Sequence, residues 1–243
     1  MISSCILLFY IPALAQTPDT TARDARSVEA ERLYADRANL SSARRAAALW
    51  ADELARNPQA FDAAWKLARA DYWLGGHAEA QEQRKDFEGG IDAAKKAIAL
   101  QPNRPEGHFW MAANMGSLAE SFGLRQGIKY RKPIREALET VLKIDPAFQQ
   151  GSADRALGRW YFKVPGMFGG SDKQAETHLR TSLTYNPNST VSHFFLAEVL
   201  LDNGRKAEGR SELQKVLDVP LDPNWTPEDQ EYKAKAKALL AKQ

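Results

Sequence analysis

A chain of 243 residues with 44% hydrophobic side chains can bury one large core or two small ones. Its 33 basic and 31 acidic residues leave a formal charge of +2, so the overall balance offers no electrostatic case for nucleic acid or an anionic membrane. A single cysteine excludes a disulfide within the chain.

The first element, Met1 to Gln16, is apolar through Ile6-Leu7-Leu8-Phe9-Tyr10-Ile11 and reaches Ala13-Leu14-Ala15, a small-x-small site of the kind that signal peptidase cuts. The run is too short to span a bilayer. These features predict a signal peptide over residues 1–15 and a periplasmic or otherwise exported protein. Cys5 lies inside this segment, which leaves the mature chain without a thiol. The apolar run follows the cysteine instead of preceding it, so lipidation and membrane anchoring are not expected. Residues 16–26 carry Pro18 and no apolar period and read as a flexible lead-in. Residues 27–243 are then one domain.

That domain is punctuated by four X-Pro corners, Asn57-Pro58, Gln101-Pro102, Asp145-Pro146 and Asn186-Pro187, with their prolines 44, 44 and 41 residues apart. Each proline ends a helical pattern, because it cannot donate to the i−4 carbonyl and disfavours helix in the residue before it. Ser27 to Arg37 supplies a first helix, and Ala46, Trp50 and Pro58 fit the second half of the first unit. The second unit ends in a long helix from about Ala78 to Leu100. The third carries extra residues, Gly123 to Tyr130, read as a connection. The fourth is the clearest: Leu157-Gly158-Arg159-Trp160-Tyr161, a break at Val164-Pro165-Gly166-Met167-Phe168-Gly169-Gly170, then Ser171-Asp172-Lys173-Gln174-Ala175 and a stop at Asn186-Pro187. L-G-x-x-Y, a glycine turn, alanine and proline is the tetratricopeptide (TPR) signature. The fifth unit, Thr190 to about Val219, turns at Gly204. Thr226-Pro227-Glu228-Asp229 then starts a Lys-rich helix that is expected to cap the stack with a polar outer face. Strand patterns are nearly absent. The fold expected is an all-α, TPR-like right-handed α-solenoid of about five helix pairs with a C-terminal capping helix.

His108-Phe109-Trp110-Met111-Ala112 and His193-Phe194-Phe195-Leu196-Ala197 are one pentad repeated 85 residues apart, the same spacing as Pro102 and Pro187. A histidine that recurs with the repeat reads as a packing element. His77 sits in a glycine turn and His178 lies mid-helix. The chain has no HExxH, CxxC, GxSxG, GxGxxG or Walker spacing, so no catalytic residue, cofactor or metal is expected. Ser171 with Gln174 reads as a capping box. With Leu157 and Tyr161 packed inward, Arg155, Arg159 and Phe162 face outward. Their counterparts are Trp65, Arg69 and Tyr72 in the second unit, Phe109 in the third, and Phe194 and Glu198 in the fifth. First helices line the concave face of a solenoid, so these residues predict one groove of aromatics and arginines suited to a protein segment, a carboxylate or a small organic ligand.

Leu157 to Tyr161, the loop Pro165 to Ala175, and Ala93 to Pro102 followed by Gly107-His108-Phe109-Trp110 resemble the T-component of tripartite ATP-independent periplasmic (TRAP) transporters. The same style of repeat is shared, more distantly, with the regulator of microtubule dynamics family. The resemblance covers about Leu67 to Leu217. It implies a non-enzymatic scaffold with a ligand cleft, a trimer, and association with a periplasmic substrate-binding protein. The expected function is an exported scaffold binding a protein or a small organic ligand on its concave face as an accessory of solute transport. The alternative is a self-assembling adaptor without a ligand site.

Overall fold

A computed structural model describes residues 20–242. The segment Met1 to Gln16, with its expected signal peptide, lies outside the described residues. Eleven α-helices follow one another: α1 (Thr20–Ala35), α2 (Leu40–Arg56), α3 (Phe61–His77), α4 (Ala80–Leu100), α5 (Pro105–Phe122), α6 (Leu124–Ile144), α7 (Phe148–Lys163), α8 (Asp172–Tyr185), α9 (Thr190–Asp202), α10 (Lys206–Asp218) and α11 (Thr226–Leu240). A single 3₁₀ turn, Gly166–Phe168, joins α7 to α8, and the described residues contain no strand. Helices α1 to α10 form five consecutive pairs, and α11 packs on α9 and α10. This is a TPR-like α-solenoid.

The four X-Pro corners share one geometry. The residue before each proline sits in extended backbone, with ψ between 80° at Gln101 and 97° at Asp145, as its clash with the proline ring requires. Its own N–H still closes the helix behind it, from Asn57 to Glu53 at 2.8 Å, Gln101 to Ala97 at 2.9 Å, Asp145 to Val141 at 2.8 Å and Asn186 to Ser182 at 3.2 Å. At three corners a side-chain oxygen also accepts the N–H two residues on: Asn57 from Gln59 at 3.2 Å, Asp145 from Ala147 at 3.0 Å and Asn186 from Asn188 at 2.9 Å. Such Asx turns redirect the chain without help from elsewhere.

Two boundaries differ from the sequence reading. Helix α1 begins at Thr20, inside the stretch read as a lead-in. Gly123 to Tyr130 is not a connection: α6 runs from Leu124 without a break. Of its two glycines, only Gly123 adopts a left-handed φ, +80°, and ends α5 there; Gly127 is an ordinary helical residue.

The core is continuous through the middle units, where Phe87, Leu118, Leu138 and Leu157 are fully enclosed. Each such side chain contributes about 1.5–3 kcal/mol by leaving water. Gly158 lets α8 approach α7, since a Cβ there would meet Leu179 Cγ at 2.5 Å. The Trp160 indole N–H donates to the Arg131 carbonyl at 2.8 Å and ties α7 to α6. Ser171 Oγ accepts the Gln174 N–H at 3.3 Å and caps α8. The reverse half of the expected capping box is replaced, because the Ser171 N–H donates to the Tyr161 carbonyl at 2.9 Å.

Candidate partner-binding groove

Helices α3, α5, α7 and α9 touch one another in series, which makes them the inner layer of the stack. Glu120 on α5, Arg159 on α7 and Glu198 on α9 stand 39 residues apart, hence at one level of successive inner helices. Arg159 donates from Nε and Nη2 to Glu120 at 3.1 and 3.0 Å, and from Nη1 to Glu198 at 2.6 Å. Its guanidinium also lies 4.6 Å from the Phe195 ring.

Helix α11 is more than an end cap. Its carboxylates reach back to the first two helix pairs. Arg37, between α1 and α2, donates from Nε to Glu228 Oε1 at 2.9 Å, across 191 residues, and from Nη2 to the Asn224 carbonyl at 3.0 Å. Arg37 is only 4% exposed and lies 5.1 Å from the Tyr34 ring and 5.3 Å from Trp73. Glu231 approaches His77 Nε2 at 3.4 Å. On the opposite side the Tyr232 ring sits 5.3 Å from Phe194 and 5.6 Å from Phe195. Asp229 accepts from the Thr190 hydroxyl at 2.6 Å. One helix therefore binds the first, second and fifth pairs together across the inner face.

The residues expected to line the groove fall into three places. Tyr72, Arg155, Arg159, Phe194 and Glu198 gather around α11. The Tyr72 ring packs 5.6 Å from Trp110, and burial raises its phenol pKa. Arg155 makes no direct hydrogen bond or ion pair among the described residues; burial lowers its pKa, while Tyr232, Tyr72 and Glu228 act in the opposite sense. Trp65 and Arg69 lie toward α1. Trp65 donates to Asp62 at 3.0 Å, and the Arg69 guanidinium sits 4.1 Å from Tyr34 and 5.1 Å from Trp65 while ion-pairing with Glu31 at 2.9 Å. Phe109 and Phe162 belong to the packing instead. Phe109 is buried between Trp110 and Phe148, because α5 has neighbours on both its inner and outer sides. Phe162 packs half-buried against the cluster of α8 and α9.

The residues that sequence reasoning missed are Arg37, Glu228, Glu231 and Tyr232. The acidic first turn of α11 within a Lys-rich helix was their only local signal.

The histidines have structural partners. His108 and His193 each place Nε2 on the carbonyl of the proline six residues earlier, at 2.9 and 2.8 Å, so they do occupy one slot of the repeat. His178 Nδ1 meets Asp154 at 2.7 Å. The described residues hold no group of three or more His, Cys, Asp or Glu placed to ligate a metal.

His77 makes α11 docking depend on pH. Its Nδ1 lies 2.8 Å from the Trp73 carbonyl and must carry a proton there, so Nε2 faces Glu231 as a donor only in the cation. Burial disfavours that cation, but the hydrogen bonds to Glu231 and Trp73 outweigh it and raise the pKa above 6.5. The same hydrogen bond, against burial and aided by Lys235, holds Glu231 down at about 2. The His77 contribution is complete below 6.5 and lost as pH rises through its raised value; the Glu231 contribution is complete above 4.5 and lost as pH falls. Protection of α11 amides against exchange, corrected for intrinsic rate, is expected to be greatest between about pH 4.5 and 6.5 and to fall above it. His77→Gln flattens that upper limb; an unchanged limb would refute the linkage.

Residues 28–179 match the family described as Regulator of microtubule dynamics protein 1-3. Regulator of microtubule dynamics protein 3 of Rattus norvegicus is 26% identical over 155 residues, 63% of this chain and 32% of the relative. The chain thus spans about a third of the length of the curated relatives it matches. The crystal structure of a thermophilic TPR protein from Thermus thermophilus superposes with a TM-score of 0.67 at 21% identity, over 90% of this chain and 99% of that one. PilF of Pseudomonas aeruginosa does so with a TM-score of 0.55 at 18% identity, over 92% of each chain. These likenesses show the fold. The family match supports the more distant of the two sequence resemblances and not the transporter component. The family match and the rat relative also overturn the periplasmic, exported location expected from Met1 to Gln16, since both are described as regulators of microtubule dynamics and a rat cell has no periplasm.

Proposed function

The chain belongs to the family of regulator of microtubule dynamics proteins 1-3, and from that premise we propose that it is a non-enzymatic scaffold whose inner face takes a helical segment of a protein partner. The fold is that of a protein-interaction module. The observation that carries the reading is α11 itself, a helix seated on the inner layer through carboxylates on Arg37 and His77 and a tyrosine against Phe194 and Phe195. A partner segment with acidic residues and an aromatic one turn apart satisfies the same contacts. Arg155, half-buried without a direct counter-ion among the described residues, adds a donor for such a segment. A place beside a solute transporter falls with the periplasmic location it required. The aligned third of the relatives supports carrying over a scaffold, not the activity of the whole protein.

The test uses a fluorescein-labelled peptide of residues 222–240. Glu228→Gln with Tyr232→Ala weakens the resident helix and leaves the groove intact. The natural peptide is expected to bind this variant at least tenfold more tightly than the natural chain, about 1.4 kcal/mol. A peptide carrying the same two substitutions is not. Adding Arg155→Ala to the variant reduces the gain. Equal binding of the natural peptide to both chains would sink the reading.

A further inference from the structure

We propose that the exposed face formed by the start of α6 and the α7–α8 loop docks on an anionic membrane interface. The apolar part of this face is conspicuous by exposure. Leu124 is 70% exposed, Ile128 42%, Met167 84% and Phe168 38%, four of the seven large apolar side chains that stand exposed among the described residues. Leu124, Ile128, Arg131, Lys132 and Arg135 follow at i, i+4, i+7, i+8 and i+11, so they share one stripe of α6. The loop joins this stripe at its middle: the Arg131 guanidinium lies 5.3 Å from the Phe168 ring, and Arg131, Lys132 and Arg135 form a cleft with Trp160 and Phe168. Met167 projects beside Phe168 from a tight turn held between Pro165 and Gly169, where the Phe168 and Gly169 N–H groups donate to Pro165 and Gly166 at 2.8 and 3.0 Å. The tip is therefore presented by a hydrogen-bonded turn.

The charge of the face has one sign. Residues 123–135 contain Arg125, Lys129, Arg131, Lys132 and Arg135 and no Asp or Glu. Lys132 and Arg135 lie 3.6 and 3.4 Å from Glu136 and Glu139 one turn on. Arg125, Lys129 and Arg131 have no carboxylate partner among the described residues, although ion pairs are spread over most of the other helices. Exposed apolar side chains rimmed by charge mark an interaction surface. Long cations around a protruding apolar tip fit a lipid interface, where the tip enters the acyl boundary and the cations stay at the headgroups. An acidic protein segment would engage the cations but would leave Met167 and Leu124 exposed.

The full chain is mixed with vesicles of phosphatidylcholine alone or with about one third phosphatidylserine, a content that gives each nearby Lys or Arg a measurable attraction, and the bound fraction is read by sedimentation. Binding to the phosphatidylserine vesicles that weakens with salt is expected, with at least tenfold less on phosphatidylcholine. Arg125→Glu with Lys129→Glu and, separately, Leu124→Asp with Met167→Asp should each reduce binding tenfold or more. All four side chains are exposed, and unchanged circular dichroism melts verify the fold. No binding at low salt, or equal binding to both vesicles, overturns the proposal. So does loss with the charge variant alone together with competition by poly-glutamate, which would identify an acidic protein segment as the occupant.

Discussion

Replacing Gly170 by alanine is expected to destabilise the fold by roughly 3 kcal/mol, although neither its backbone angles nor any polar group forbids the change. What forbids it is space. A Cβ built there would overlap the Val164 carbonyl oxygen and sit 3.0 Å from the Tyr161 carbonyl oxygen. Both are backbone atoms, so no side-chain rotation relieves the clash. The loop must move instead, and it carries three contacts that fix the entry to α8. The Gly170 N–H donates to Pro165 at 3.3 Å, the Ser171 N–H donates to Tyr161 at 2.9 Å, and Ser171 Oγ caps α8 through the Gln174 N–H at 3.3 Å. Losing a cap and a backbone hydrogen bond each costs about 1 kcal/mol, and residual overpacking adds about as much again. A chain of this size should then melt roughly 6–12 °C lower. Gly166, four residues earlier in the same loop, has nothing within 4 Å of its would-be Cβ and no left-handed φ. Gly166→Ala is expected to stay within about 0.5 kcal/mol. Equal melting shifts for the two variants would show that the loop yields and that the close approach carries no weight.

The frame of the fold was legible because its determinants are local. An X-Pro corner is set by the proline ring and by the side chain just before it, and all four corners formed where the sequence places them. The repeated pentad was legible for the same reason, with His108 and His193 both bonded to a proline carbonyl six residues back. Gly123 to Tyr130 was misread because two glycines resemble a linker, whereas one of them ends α5 and the other is tolerated in α6. Phe109 was misplaced because spacing within one helix cannot show that α5 has packing partners on opposite sides. The basic stripe of α6 was hidden by counting charge over the whole chain, where acids elsewhere cancel it. The acidic first turn of α11 marked a helix start but not where the helix docks, since its decisive contacts join residues 187 and 191 apart.

Those distant contacts yield the second large effect. Arg37→Met is expected to release α11 from the inner face before the rest of the solenoid unfolds. The guanidinium is almost wholly buried, bonded to Glu228 and to the Asn224 carbonyl, and a methionine fills its volume but offers no donor. Glu228 is 18% exposed at its side chain, so it is left largely desolvated without a counter-ion. Removing one member of a buried pair costs about 3–5 kcal/mol, and the partial exposure of Glu228 places this case near the lower end. A loss of about 3 kcal/mol corresponds to roughly a hundredfold fall in the protection of α11 amides against exchange. Amides of α5 and α6, which pack chiefly on each other and on α3, α4 and α7, keep theirs. The contacts of Tyr232 with Phe194 and Phe195 and of Asp229 with Thr190 remain in place, so the helix loosens first at its Arg37 end. Glu228→Gln in the same chain removes the unpaired charge, and the double variant should recover about 1–2 kcal/mol of the loss. If α11 protection is unchanged in Arg37→Met, or if every helix loses protection equally, α11 is an inseparable part of one cooperative unit, and the groove has no resident that a partner segment could displace.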